Sequence, residues 1–95
     1  MEDLDNIELQ DPNYTIYVFS YDENDQILGE HFVADFGSDA TRAVDFAKLI
    51  DTAERAKIYA HKDAKYVIVE VETVVEVEDW TQNAGSIYYS DPIIL

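Results

Sequence analysis

The sequence predicts an α+β fold: a single small domain in the order β-β-α-β-β, with an antiparallel sheet of about four strands and one amphipathic helix packed on one face. Its 95 residues allow one domain with a modest core and leave no room for a second. The hydrophobic fraction of 47%, with seven Tyr, four Phe and one Trp, is typical of a globular chain rather than of an acidic disordered one. The order of the patterned segments supplies the rest of the prediction.

The first half of the chain predicts a leader followed by a β-hairpin. Residues 1–13 are polar and acidic and end in the turn-forming Asp11-Pro12-Asn13, so we expect a flexible acidic leader before a domain that spans residues 14–95. Residues 14–21 and 27–36 are dense in β-branched and aromatic residues, which predicts two strands. Residues 22–26 are short and polar enough to be the hairpin loop, although they lack an Asn-Gly or Asp-Gly pair.

A helix is predicted from Ala40 to about Ala60. Gly37 interrupts the strand pattern, and Ser38 or Asp39 can cap the helix that follows. Residues at three- and four-residue spacing then form one largely apolar stripe that faces the sheet. The stripe consists of Ala43, Phe46, Ala47, Ile50, Ala53, Lys57 and Ala60.

The last part of the chain predicts a long strand and a short one. From Tyr66 to about Trp80, alternation places six residues on a buried face: Val67, Val69, Val71, Thr73, Val75 and Val77. The opposite face carries Glu70, Glu72, Val74, Glu76 and Glu78. Residues 83–85, Asn-Ala-Gly, can turn the chain, and residues 86–90 can form the last strand.

Charge is distributed unevenly along the chain. All six Lys and Arg lie between residues 42 and 65, which contain only four of the 21 acidic residues, and the net charge is −15. Dense negative charge opposes a compact state, so a folded protein that keeps it is expected to bind a cationic partner. Nucleic-acid backbones and anionic membrane surfaces would be repelled, and we expect neither as a partner. The absence of Cys and of an N-terminal secretory signal in this sequence favours a cytoplasmic location.

The carboxylates of the long strand suggest a partner-binding surface. Alternate residues of a strand are about 6.6 Å apart, which is comparable with the spacing of phosphates along a nucleic-acid strand. Acids of the hairpin loop extend the row, and Trp80 lies on the glutamate side by parity. The predicted partner-binding residues are Asp22, Glu23, Asp25, Glu70, Glu72, Glu76, Glu78, Asp79 and Trp80. A solvated sheet face protected against aggregation would also carry Glu, but such a face usually mixes both signs of charge.

Catalytic and metal-binding patterns are missing from the sequence. There is no phosphate-binding loop and no nucleophile elbow, and Gln26 and Ile27 stand where a calcium loop needs Asp or Asn and Gly. His31 and His61 have no partners at ligand spacing. We therefore predict a protein that is not an enzyme, with no catalytic residues, no metal site and no cofactor.

Two functional hypotheses follow. The first is a small acidic inhibitor that binds a basic nuclease or another nucleic-acid-handling effector and blocks its groove as a DNA mimic. In size and charge alone, the chain is similar to phage-encoded antagonists of bacterial defence, such as anti-CRISPR and anti-restriction proteins, and to immunity proteins that neutralise nuclease toxins. The second is an assembly protein that is acidic for solubility, in which Ile93-Ile94-Leu95 adds a strand to a neighbouring copy, for example in a homodimer.

Overall fold

The computed structural model describes residues 12–77 and 80–95; residues 1–11 of the predicted leader lie outside the described part. In chain order the elements are β1 (Asn13–Tyr21), β2 (Ile27–Asp35), α1 (Ala40–Ile50), α2 (Ala53–Ala56), a 3₁₀ turn (Lys57–Tyr59), β3 (Tyr66–Val77), β4 (Trp80–Tyr89) and β5 (Ile93–Ile94). The predicted α+β class is confirmed. The element order differs from the prediction, because the helix is divided and a fifth short strand is present.

The sheet is antiparallel, and its strands lie in the order β2-β1-β3-β4, with β5 paired to the beginning of β3. In the centre, Ile16 lies opposite Val71 and Val18 lies opposite Val69. The intervening residues of the two strands, such as Tyr17 and its partner Glu70, point to the other face. Each central strand therefore has one face toward the core and one face away from it.

The core lies between one face of the sheet and the helices. The sheet contributes Ile16, Val18, Val67, Val69 and Val71, and the helices contribute Ala43, Ala47, Ile50 and Ala56. Burial of Val67, Val69 and Val71 confirms the first half of the buried face that alternation predicts, whereas Thr73 and Val75 are only partly buried. Small alanine side chains let the helix backbone approach the sheet closely. Helix α1 begins at the predicted cap, where the backbone N–H of Arg42 donates to Asp39 Oδ1 over 3.1 Å.

The prediction of one continuous helix to Ala60 is wrong. Helix α1 ends at Ile50, and Thr52 has an extended backbone with its Oγ1 accepting from the N–H of Arg55. Threonine side chains stabilise helix starts in this way and compete with continuation of the preceding helix. The Tyr88 hydroxyl donates to Asp51 Oδ2 at this break, which ties the break to β4.

The predicted turn at residues 83–85 is also wrong. These residues belong to β4, which pairs with β3 from Val77–Trp80 to Glu70–Tyr89 with two shifts of register. Gly85 has a φ of 112°, a conformation that favours glycine and is common in β-bulges. Gly85 therefore lies at an irregularity within β4 and not in a turn between two strands. No described helix is both long enough and apolar enough to cross a membrane.

Candidate partner-binding surface

The sheet face opposite the helices carries the predicted glutamates together with aromatic rings. We call this surface the open face and define it by residues of the three strands β1, β2 and β3. The open face consists of Tyr17, Phe19, Tyr21, Glu30, Phe32, Tyr66, Ile68, Glu70, Glu72 and Glu76. None of these residues belongs to the buried core, and Phe32 is 54% exposed. No helix packs on this side of the described sheet.

Aromatic rings lie in contact across the open face. The Tyr17 ring centroid is 6.0 Å from that of Phe32 and 6.1 Å from that of Phe19. At the hairpin end, Tyr21 and Tyr66 stack at 5.0 Å with their planes 9° apart. These distances are typical of attractive aromatic pairs. The face is therefore a mixed aromatic and anionic surface and not only the row of carboxylates that β3 by itself predicts.

Glu70 and Glu72 occupy the middle of the open face and are half-buried. Glu70 Oε1 accepts from the Ser86 hydroxyl over 3.2 Å, and Glu72 Oε1 accepts from the Asn83 side-chain amide over 2.8 Å. Burial raises the pKa of both carboxyls, and the Ser86 bond partly offsets this for Glu70. An arriving cation would compensate the loss of solvation that the raised pKa values reflect.

Glu30 is a member of this acidic group that the sequence-based prediction missed. It lies on β2 opposite Phe19, and its charge raises the pKa of Glu70 and of Glu72 after the larger effect of burial. Burial also raises the pKa of Tyr17, with Glu72 and then Glu30 as further causes. The two glutamates of β3 therefore share a field with a third carboxylate from a strand two positions away. Nothing in the local sequence identifies such a neighbour, because β2 and β3 are separated by β1.

The acids of the hairpin loop have structural contacts of their own. Asp22 Oδ1 accepts from the backbone N–H groups of Asn24 and Gln26, over 2.8 and 3.0 Å. Asp25 has a φ of 63°, and its Oδ1 accepts from the Tyr66 hydroxyl over 2.9 Å, which is the main cause of the raised pKa of Tyr66. Glu23 is exposed. Asp22 thus shapes the loop, and Asp25 joins the loop to the edge of the open face.

The remaining predicted residues lie toward the far end of β3. Glu76 is exposed and stands ten residues beyond Tyr66, about 33 Å along the strand at its usual rise. Glu78 and Asp79 lie outside the described residues. Trp80 begins β4, and its backbone pairs with that of Val77. The parity argument that put Trp80 on the glutamate side is therefore wrong, because Trp80 does not continue β3.

The basic residues lie outside the strands, in the helical layer and in the connector that leads to β3. The five described strands contain no Lys or Arg, whereas the helical layer and its connector to β3 carry Arg42, Lys48, Arg55, Lys57, Lys62 and Lys65. Arg42 extends over the Phe36 ring, with its guanidinium carbon 5.6 Å from the ring centroid. The charge asymmetry of the sequence therefore becomes an asymmetry between the two layers.

The histidines come together without a recognisable metal site. His31 and His61 line the same small cavity beside Tyr59, although they are thirty residues apart in sequence. Within residues 12–77 and 80–95, no group of three or more His, Cys, Asp or Glu side chains is placed to hold a metal ion.

Comparison of the chain with protein-family models, with curated proteins and with solved structures finds no match.

Proposed function

We propose that this protein is a non-enzymatic antagonist that binds a basic, nucleic-acid-handling protein through the open face and occupies its nucleic-acid groove. The target class is a nuclease or a CRISPR or restriction effector, met in the bacterial cytoplasm. The single observation that carries the proposal is the separation of charge between layers: the described strands contain only acids as charged residues apart from His31, and every Lys and Arg lies in the helical layer or its connector.

The open face has the two properties that such binding requires. Its carboxylates come from β2 and β3, on either side of β1, so they form a two-dimensional anionic patch that would steer a basic groove into contact. The rings of Tyr17, Phe19 and Phe32 lie among them and supply rigid apolar contact area with little loss of side-chain freedom. Charge alone accelerates association, whereas buried aromatic contacts slow dissociation.

The assembly hypothesis loses part of its support. It depends on Ile93-Ile94-Leu95 adding a strand to a neighbouring copy, but Ile93 and Ile94 pair with Val67 and Tyr66 of their own chain. The N–H of Leu95 donates to the Lys65 carbonyl over 3.1 Å. The C-terminal strand therefore completes its own sheet, although Ile94 remains 70% exposed.

The test is competition with DNA, using two triple variants that change the net charge equally. The open-face variant replaces Glu70, Glu72 and Glu76 with Gln, which keeps the side-chain acceptors for Ser86 and Asn83. The control variant carries Asp45→Asn, Glu54→Gln and Asp63→Asn, three exposed acids of the helical layer and its connector. Each protein is titrated into complexes of labelled DNA with a panel of purified basic nucleases and defence effectors.

We expect the wild type and the control to displace DNA from the same panel member, and the open-face variant to need at least about tenfold more protein, since several close charge pairs would be lost. The affinity of the wild type for that panel member, measured without DNA, should weaken steeply with added salt, because exposed charges are screened. Equal behaviour of the two triple variants would show that only net charge matters. Affinity that stays constant across a tenfold change in salt would contradict the electrostatic mechanism.

A further inference from the structure

The pairing of β1 with β3 places the carboxylates of the open face beside its aromatic rings. Tyr17 lies opposite Glu70 across the β1–β3 pair, and Thr15 on the same strand lies opposite Glu72. The Tyr17 ring contacts Phe32 of β2 on one side and Phe19 of β1 on the other. A cation that approaches the glutamates of this face therefore meets an aromatic surface at the same time.

A surface that combines carboxylates with aromatic rings is expected to bind arginine more tightly than lysine. An arginine guanidinium is planar, offers five N–H donors in a fixed fork that matches a carboxylate, and stacks on aromatic rings. A lysine ammonium is a strongly hydrated point charge without a planar surface. Attraction between a cation and a ring adds to the charge pairing, and it occurs more often with arginine.

The partial burial of Glu70 and Glu72 strengthens the distinction. A partner cation must give up part of its hydration to reach a half-buried carboxylate, and the guanidinium is the more weakly hydrated of the two groups. A negative field without aromatic rings or burial would attract both cations alike. The rings and the depth of the glutamates are therefore the features that go beyond charge.

We infer that the open face selects arginine over lysine, so that the partner docks through a segment whose arginine side chains lie on Tyr17 and Phe32 and pair with Glu70 and Glu72. This inference rests on the proposed function, because it names the chemistry of the groove that the open face would occupy. The partner that this inference names is an arginine-bearing protein segment, supported by charge complementarity and by the aromatic rings of the open face, of which Phe32 is 54% exposed.

The experiment uses two synthetic peptides of equal length and charge, one of six Arg-Gly repeats and one of six Lys-Gly repeats. Each is titrated into ¹⁵N-labelled full-length protein at low salt while backbone amide shifts are followed. We expect about tenfold tighter binding of the arginine peptide, from stacking and forked hydrogen bonds, with the shifts concentrated on β1, β2 and β3. Equal binding of the two peptides would overturn the arginine inference and leave the proposed function standing. If neither peptide bound, the proposed function would fail with it.

A double variant tests the role of the rings. Tyr17→Leu with Phe32→Leu keeps apolar side chains but removes the aromatic faces, and Phe46→Leu on the helical side serves as the control for loss of a ring. The preference for the arginine peptide should fall below about twofold in the double variant, because the cation–ring attraction that favours arginine is gone, while the affinity for the lysine peptide changes less. The control should keep the full preference. An unchanged preference in a double variant with native amide dispersion would overturn the inference.

Discussion

Replacing Ser90 with Ala should destabilise the protein through one buried backbone group. Ser90 follows β4 and precedes β5, and both of these strands pair with β3. Its N–H donates to the Val69 carbonyl over 2.8 Å, and its Oγ accepts from the Val69 N–H over 2.9 Å. The hydroxyl donates in turn to the Asp91 carbonyl over 2.9 Å. Ser90 thus continues the hydrogen-bond ladder of β3 in the gap between β4 and β5.

The magnitude follows from the burial of Val69. This residue is 0% exposed and Ser90 is 9% exposed, so water cannot readily replace the lost hydroxyl. A buried donor without an acceptor costs about 1–3 kcal/mol, whereas Asp91 is exposed and its carbonyl can be hydrated. We expect the free energy of unfolding to fall by about 1–3 kcal/mol. Each kcal/mol lowers the melting temperature of a domain of this size by about 4–8 °C.

The assay is urea unfolding followed by circular dichroism, with Ser38→Ala as the control because Ser38 is an exposed serine in the loop before α1. The dependence on urea should keep its slope while the midpoint falls, since a lost hydrogen bond changes stability and not the exposed area. The Val69 amide should also exchange with solvent faster in Ser90→Ala. A variant that matched Ser38→Ala within about 0.5 kcal/mol, the range of ordinary surface substitutions, would refute the reasoning.

Two further predictions concern pH. Burial raises the pKa values of Glu70 and Glu72 in the folded state, so the folded protein binds protons more tightly than the unfolded chain. Stability should therefore increase as the pH falls through the raised pKa values, and it should decrease as the pH rises through them. Urea midpoints at about pH 7 and pH 5 should differ less in Glu70→Gln with Glu72→Gln than in the wild type. Equal differences in the two proteins would contradict this reasoning. Tyr88→Phe should cost about 1 kcal/mol by removing the bond to Asp51. Because burial and that bond raise the pKa of Tyr88 to about 12, the wild type should lose stability as the pH rises from about 10 to 12 and the variant should lose less, as monitored by unfolding midpoints and tyrosinate absorbance.

The sequence predicted an element correctly where residues close together in the chain determine it. Alternation in residues 66–77 placed Val67, Val69 and Val71 in the core, and Asp39 caps α1 as expected. The helix prediction went wrong beyond Ile50 because the apolar stripe continues at the same spacing through Thr52. Local capping by that threonine starts a new helix, and the Tyr88 contact at Asp51 comes from a strand 37 residues away.

The candidate site could be predicted only in part, for a similar reason. Glu70, Glu72 and Glu76 share a face because side chains alternate along one strand, and that follows from the sequence. Glu30 and Phe32 join them because β2 pairs with β1 and β1 pairs with β3 in one particular register. A shift of one residue in either pair would have placed Glu30 and Phe32 on the opposite face of the sheet from the glutamates of β3.

The sequence by itself determined the separation of cations from the strand-forming segments and the side of β3 on which each described glutamate lies, since both are properties of position along the chain. Only the tertiary structure decided that the anionic face is also aromatic, that the loop aspartates are engaged by the loop and by Tyr66, and that the C-terminal strand pairs within its own chain. These features depend on contacts between residues that are distant in sequence. Such contacts form in the arrangement that buries the most apolar surface between the valines of the sheet and the alanines of the helices. No local sequence pattern contains that information.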